Sequence, residues 1–159
     1  MQATVLAYST PLDPMQHLVA VFGSVHDVHD VPCRIHRESL VSDIFGRPGE
    51  TDRQNWLENA LSAVREKGYG VVMLLRSPFI GELDEADLAA PIEVAPPKDG
   101  ESHATAIHRM QRWRDVGVGS QILRDLGIRS IILLTPQDRA YVGLGGFGIE
   151  ITATLHLPG

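Results

Sequence analysis

The stretch from Gln54 to Leu75 constrains the fold more than any other. In "QNWLENALSAVREKG" the apolar residues Trp56, Leu57, Ala60, Leu61 and Val64 recur at helical spacing and make one stripe. Thr51 or Asp52 is a candidate cap at the start, and Gly68 is the stop. "GVVMLL" (Gly70 to Leu75) follows at once as a short apolar run of the kind a buried strand needs. A one-striped helix feeding a buried strand points to helices packed on a sheet.

The flanking sequence extends that pattern. "HLVAVF" (His17 to Phe22) and "VPCRIH" (Val31 to His36) read as strands, with the polar "GSVHDVHD" between them as a hairpin loop. A short helix is expected further on, with Ile122, Leu123 and Leu126 inward and Gly127 at its end. "IRSIILLT" (Ile128 to Thr135) is a further buried strand. "IEITATLHL" alternates strictly, placing Ile149, Ile151, Ala153, Leu155 and Leu157 on one face of a last strand. Ser77 to Ser102 is acidic and proline-rich without a sustained period, and reads as an insert in loop conformation. Intermixed helices and strands give an α/β (α+β) class with a mixed sheet, as one domain over 1–159.

Composition removes several functions. The chain carries a net charge of −6, which gives no electrostatic help to nonspecific nucleic-acid or membrane binding. It has no apolar run long enough for a membrane span and no basic, apolar leader, so a cytoplasmic domain is expected. Its one cysteine, Cys33, excludes an internal disulfide and a cysteine-rich zinc site, and reads as a small core hydrophobe.

Three motifs have both a chemical and a plain reading. "GLGGFG" (Gly143 to Gly148) satisfies a dinucleotide fingerprint in spelling, but an alternating strand follows where a helix is required, so it reads as a glycine-rich turn. "HDVHD" (His26 to Asp30), with His17 and His36, offers imidazoles and carboxylates, but polar loop tips are ordinarily solvated. "RMQRWRD" sets Arg109, Arg112 and Arg114 around Trp113. It suits a phosphate or a stacked base, and equally an exposed helix edge facing the acidic insert.

Several segments together resemble GTP cyclohydrolase II. "RIHRESLVSDIFG" is similar to that family's R-V-H-S-E-C-L-T-G-D-V-F-G. "RDVGVGSQILRDLGIRSIILLT" resembles its R-D-Y-G-[IV]-G-A-Q-I-L-R-D-L-G block, and "YVGLGGFGIEI" its Y-x-G-L-x-G-Y-G-L-E-V ending. The likeness runs in order from His17 to Leu157 and implies that family's mixed sheet with flanking helices. In bifunctional members the domain is the C-terminal half of a fusion with 3,4-dihydroxy-2-butanone 4-phosphate synthase. The chain starts about a strand later than is usual there, as a truncated C-terminal half would.

The resemblance implies a zinc ion on three cysteine thiolates that opens the guanine ring of GTP. Here Ser39, Glu50 and Asp52 occupy those positions, so the expectation is no zinc, no cofactor, and at most weak magnesium on the hard oxygen donors. Among nucleotide-contacting positions Arg34, His36, Glu38, Arg76 and Thr135 are kept, while Arg37 replaces a serine and Ala140 a lysine. Arg114 matches the family's nucleophilic arginine, and Arg112 stands where its acid/base aspartate belongs. The expectation is a riboflavin-related domain without activity of its own: structural, dimerising or regulatory, partnering a 3,4-dihydroxy-2-butanone 4-phosphate synthase domain, with a homodimer as default. The alternative is residual GTP binding or hydrolysis through Arg114.

Overall fold

The structure is a computed structural model; it describes residues 1–11, 13–39, 43–44, 55–77, 103–136 and 143–157, with the side chains of 103–109 and 112 excepted. Six strands form one sheet: β1 (Ala3–Thr10), β2 (Asp13–Phe22), β3 (Val31–Arg37), β4 (Gly70–Leu75), β5 (Ser130–Thr135) and β6 (Glu150–His156). Among the described residues the sheet is accompanied by the helices α1 (Trp56–Lys67), α2 (His103–Asp125) and the single turn α3 (Gly143–Gly146). The sheet order is β1-β2-β4-β3-β5-β6. β1, β2 and β4 are antiparallel neighbours, while β4, β3, β5 and β6 run parallel. The mixed α/β class is as the sequence implies.

Alternation along the strands divides the core in two. Cys33 and Ile35 of β3, Val71, Met73 and Leu75 of β4, and Ile131 and Leu133 of β5 pack with Val118, Ile122 and Leu123 of α2. Val72 and Leu134 face the other way, against Ala60, Ala63 and Val64 of α1. Each fully buried large side chain, such as Met73 or Leu123, contributes about 1.5–3 kcal/mol by leaving water.

α1 ends as expected, with Gly68 left-handed at φ 83 and its amide on the carbonyls of Val64 and Arg65. Its start differs. The first helical residue is Trp56 and the cap position is Asn55, while Thr51 and Asp52 lie outside the described residues. Leu57, placed on the buried stripe by its spacing, is 43% exposed.

Three further expectations are corrected. β2 and β3 are no hairpin, because β4 lies between them in the sheet. The helix ending near Gly127 is not short, since α2 begins at His103. Finally, β6 does not keep its apolar residues on one face. Its register on β5 slips between Ile131 and Ile132, so that Ile151 pairs with Ile131 but Ala153 with Ile132. Ile149 and Ile151 therefore join the α2-side core, while Leu157 packs on the α1 side and Leu155 is 44% exposed. The strand β1 had no reading in the sequence. It is an edge strand tied to the end of α2 by Tyr8, whose hydroxyl donates to Asp125 Oδ2 at 2.8 Å. The insert proposed for Ser77 to Ser102 lies, beyond Ser77, outside the described residues.

Candidate functional site

The parallel strands place the site. From β3 the chain passes through α1 to β4 on one side, and β5 joins β3 on the other, with α1 and α2 on opposite faces. Crevices at such a reversal open at the carboxyl ends of the strands. Here those ends bring up Arg37, Glu38 and Ser39 after β3, Arg76 and Ser77 after β4, and Thr135 on β5. β2 runs antiparallel to β4, so its first residues, Asp13 and His17, reach the same edge.

Hydrogen bonds and ion pairs tie these groups together in two sets, Arg37 with α2 and Arg76 with Glu38 and His17. Arg37 Nε lies 3.1 Å from Asp115 Oδ2, and its Nη2 donates to Gln111 Oε1 at 3.3 Å. Arg76 Nε donates to Glu38 Oε1 at 3.2 Å, and the Ser77 amide donates to Glu38 Oε2. The Arg76 amide donates to His17 Nδ1 at 3.1 Å, which leaves the proton of the neutral ring on Nε2. That nitrogen faces Asp13 Oδ2 at 3.4 Å, an ion-pair distance without hydrogen-bond geometry. Burial pushes the His17 pKa down, with Asp13 opposing and Arg76 reinforcing the shift. Burial pushes Asp115 up to about 6 in spite of Arg37 beside it, and Asp13 adds to the rise.

Of the positions that the resemblance assigns to nucleotide contact, Glu38, Arg76 and Thr135 stand at this edge, while Arg34 and His36 face the other side of the sheet. Arg34 lies on the α1 side and donates from Nη1 to the Leu134 carbonyl at 3.2 Å. His36, also on that side, stacks on Trp56 with ring centroids 3.7 Å apart and 6° between planes. Its Nε2 donates to Asp43, and the Asp43 carboxylate also takes the Ser39 amide at 3.0 Å. Glu38 and Arg76 pair with each other at the edge, and Thr135 is buried on β5. Arg114 rides half-buried on α2. Glu50, Asp52, Ala140 and the Arg112 side chain lie outside the described residues.

Cys33 is fully buried in the α2-side core, and burial pushes its thiol up to about 12. Among the described residues no three His, Cys, Asp or Glu side chains stand together as a metal-holding group. His26 contacts Asp27 at 3.1 Å on an exposed loop. The residues the sequence reading passed over are Arg37, Gln111, Asp115, Asp13 and His17 as a cluster. Only the arginine in a serine's position hinted at them.

The GTP cyclohydrolase II family model matches residues 1–156. This chain belongs to the GTP cyclohydrolase II family. The match takes in the residues ahead of His17, where the sequence likeness had started. The monofunctional riboflavin biosynthesis protein RIBA 2, chloroplastic, of Arabidopsis thaliana is 31% identical over 94% of this chain and 30% of its own length. The riboflavin biosynthesis protein RibBA of Nocardia farcinica is 32% identical over 98% of this chain and 37% of its own. The chain thus spans about a third of the length of such relatives. The crystal structure of RibBX, a two-domain 3,4-dihydroxy-2-butanone 4-phosphate synthase from A. baumannii, aligns at a TM-score of 0.49 and 19% identity over 98% of this chain and 38% of that one. Among the described residues no helix is long and apolar enough to cross a membrane.

Proposed function

We propose that this GTP cyclohydrolase II-family domain serves riboflavin biosynthesis without zinc chemistry of its own, as a structural, dimerising or regulatory partner of a 3,4-dihydroxy-2-butanone 4-phosphate synthase domain. One observation carries the reading. The family's zinc needs three thiolates, and the single cysteine of this chain is sealed in the core with its thiol pushed up to about 12. At the first ligand position Ser39 offers a hydroxyl, a poor zinc donor, and its amide is bonded to Asp43. The residues present do not fit the metal. Without it, water near neutral pH has no route to hydroxide, and Arg112 in place of an acid/base aspartate cannot accept a proton.

A nucleotide-hydrolysing role would need Arg34, Arg112 and Arg114 on one phosphate chain. Arg34 is committed to the Leu134 carbonyl on the α1 side, whereas Arg114 belongs to α2 on the opposite face. That geometry favours the assembly role. Relatives named for riboflavin biosynthesis support the pathway, and one named as bifunctional, RIBA 1 of Arabidopsis thaliana, supports a fused partner.

The test is zinc content after dialysis against excess zinc, read by mass spectrometry, with sedimentation of the chain mixed with a separate synthase domain. The reading expects no stoichiometric zinc and a complex of the two. One zinc per chain contradicts it.

A further inference from the structure

The two edges of the sheet differ in what keeps a further strand away. β6 is bulged against β5, opens on Glu150 and closes on His156. Bulges and charges are the devices that blunt an edge. β1 lacks them: its register with β2 is regular from Ala3 to Tyr8 and slips only between Tyr8 and Thr10. No Asp, Glu, Lys, Arg, His or Pro occurs from Met1 to Thr10. Among the described residues β1 is hydrogen-bonded to β2 alone, so the amides and carbonyls along its outer side form an open row. The Tyr8 hydroxyl, donating to Asp125 Oδ2, ties the end of the strand to α2 and holds that row in place.

The side chains beside the open row are apolar. Val5 pairs with Ala20 and Ala7 with Leu18 on the α1 side of the sheet, where Ala3 and Ala20 border the core under α1. That core holds Phe22, Val72 and Leu134 and stops short of this corner, where Val5 is 65% exposed and Leu18 40%. We infer that β1 is the surface on which a second copy of this chain docks, strand to strand and antiparallel, making one continuous sheet about a two-fold axis. The axis passes at Val5, the most exposed large apolar residue of the strand, which meets Val5 of the second copy. Ala3 then stands opposite Ala7, and Thr4 opposite Leu6, in both directions.

Charge selects the occupant. The chain carries a net charge of −6, so two copies repel one another over much of their surface. β1 is a neutral strip in that surface. Paired with its own copy it sets no like charges together and takes none out of water. A two-fold contact requires that self-complementarity. A charged partner strand would gain nothing here, because no group on β1 answers its charge. One strand pair is small for a specific interface, so the expected dissociation constant is on the order of micromolar. The inference gives the dimerising part of the role proposed above its surface, and rests on that reading.

The experiment is sedimentation velocity of the full chain alone, with neither zinc nor a synthase domain, from about 1 to about 300 μM. It compares wild type with Val5→Lys and, at the other edge, Leu155→Lys, each checked for folding by circular dichroism. Both positions are exposed, so a lysine stem finds room in the monomer. The expected result is a monomer–dimer equilibrium in wild type and Leu155→Lys, weakened about tenfold or more in Val5→Lys, where two ammonium groups would meet. Under mild oxidation Val5→Cys should give a disulfide-linked dimer and Leu155→Cys should not, while Cys33 stays sealed in the core. That pair decides alone if Val5→Lys does not fold. A wild type that is monomeric throughout overturns the inference. So does a dimer that survives Val5→Lys, one lost equally in Leu155→Lys, or a monomeric chain that captures a synthase domain through Val5. Zinc in the chain or ring opening of GTP would overturn the role proposed above and leave the sedimentation result as it is.

Discussion

Replacing Asp115 by Asn sets two electrostatic effects against each other. The carboxyl is raised from 3.8 to about 6 chiefly by burial, with Arg37 at 3.1 Å pulling the other way. A shift of that size corresponds to about 3 kcal/mol. Water reaching the partly exposed side chain reduces the figure to about 1–2 kcal/mol. The folded pKa lies above the unfolded one, so the stability this group adds is full below about pH 3.8 and is lost as pH rises through about 6. Asn keeps the shape and never ionises. In urea denaturation at about pH 7.5 the variant is therefore expected to be more stable than wild type by about 1–2 kcal/mol, with the difference vanishing at about pH 3.5. Buried His17 shifts in the opposite sense, its lowered pKa costing stability as acid is added, but it is common to both chains and cancels in the difference. Loss of about 3–5 kcal/mol at about pH 7.5 would show that the ion pair outweighs desolvation, and the reasoning would fail.

Other outcomes follow from packing. Gly70→Ala should destabilise by about 1–3 kcal/mol in the same assay, because φ is +154 and a Cβ would stand 2.8 Å from the Pro32 carbonyl and 2.9 Å from Val64 Cγ2. Leu123→Ala removes a side chain with no exposed surface between α2 and the sheet, and should lower stability by about 2–5 kcal/mol. Cys33 should resist iodoacetamide in the folded chain and react in urea in step with unfolding, since only the thiolate attacks and burial suppresses it.

The sequence showed those elements whose own side chains carry the signal. α1 was legible because its apolar spacing is helical and Gly68 stops it, and β4 because it is a short apolar run. β1 was not, since an edge strand with Val5 65% exposed has little alternation to read. The first half of α2 hid for a like reason: its described large apolar side chains, Met110 and Trp113, are 67% and 39% exposed. The supposed hairpin failed because nearness in sequence suggested pairing, while the crossover through α1 brings β4 between β2 and β3. The bulge in β6 could not be seen in a strictly alternating sequence, because it is a property of the register with β5. At the site, family likeness drew attention to Arg34 and His36, which the strand alternation sends to the α1 side. The Arg37–Asp115 pair joins β3 to a helix far along the chain, and no local spacing encodes such a contact.

The central claim is that this family member no longer opens the guanine ring. Chromatography of GTP incubated with the full chain and added zinc, with every product and any formate quantified, tests it directly. The account predicts GTP recovered without ring-opened pyrimidine or formate above the protein-free control. Catalytic release of formate with the ring-opened product, lost on adding a chelator, would contradict it.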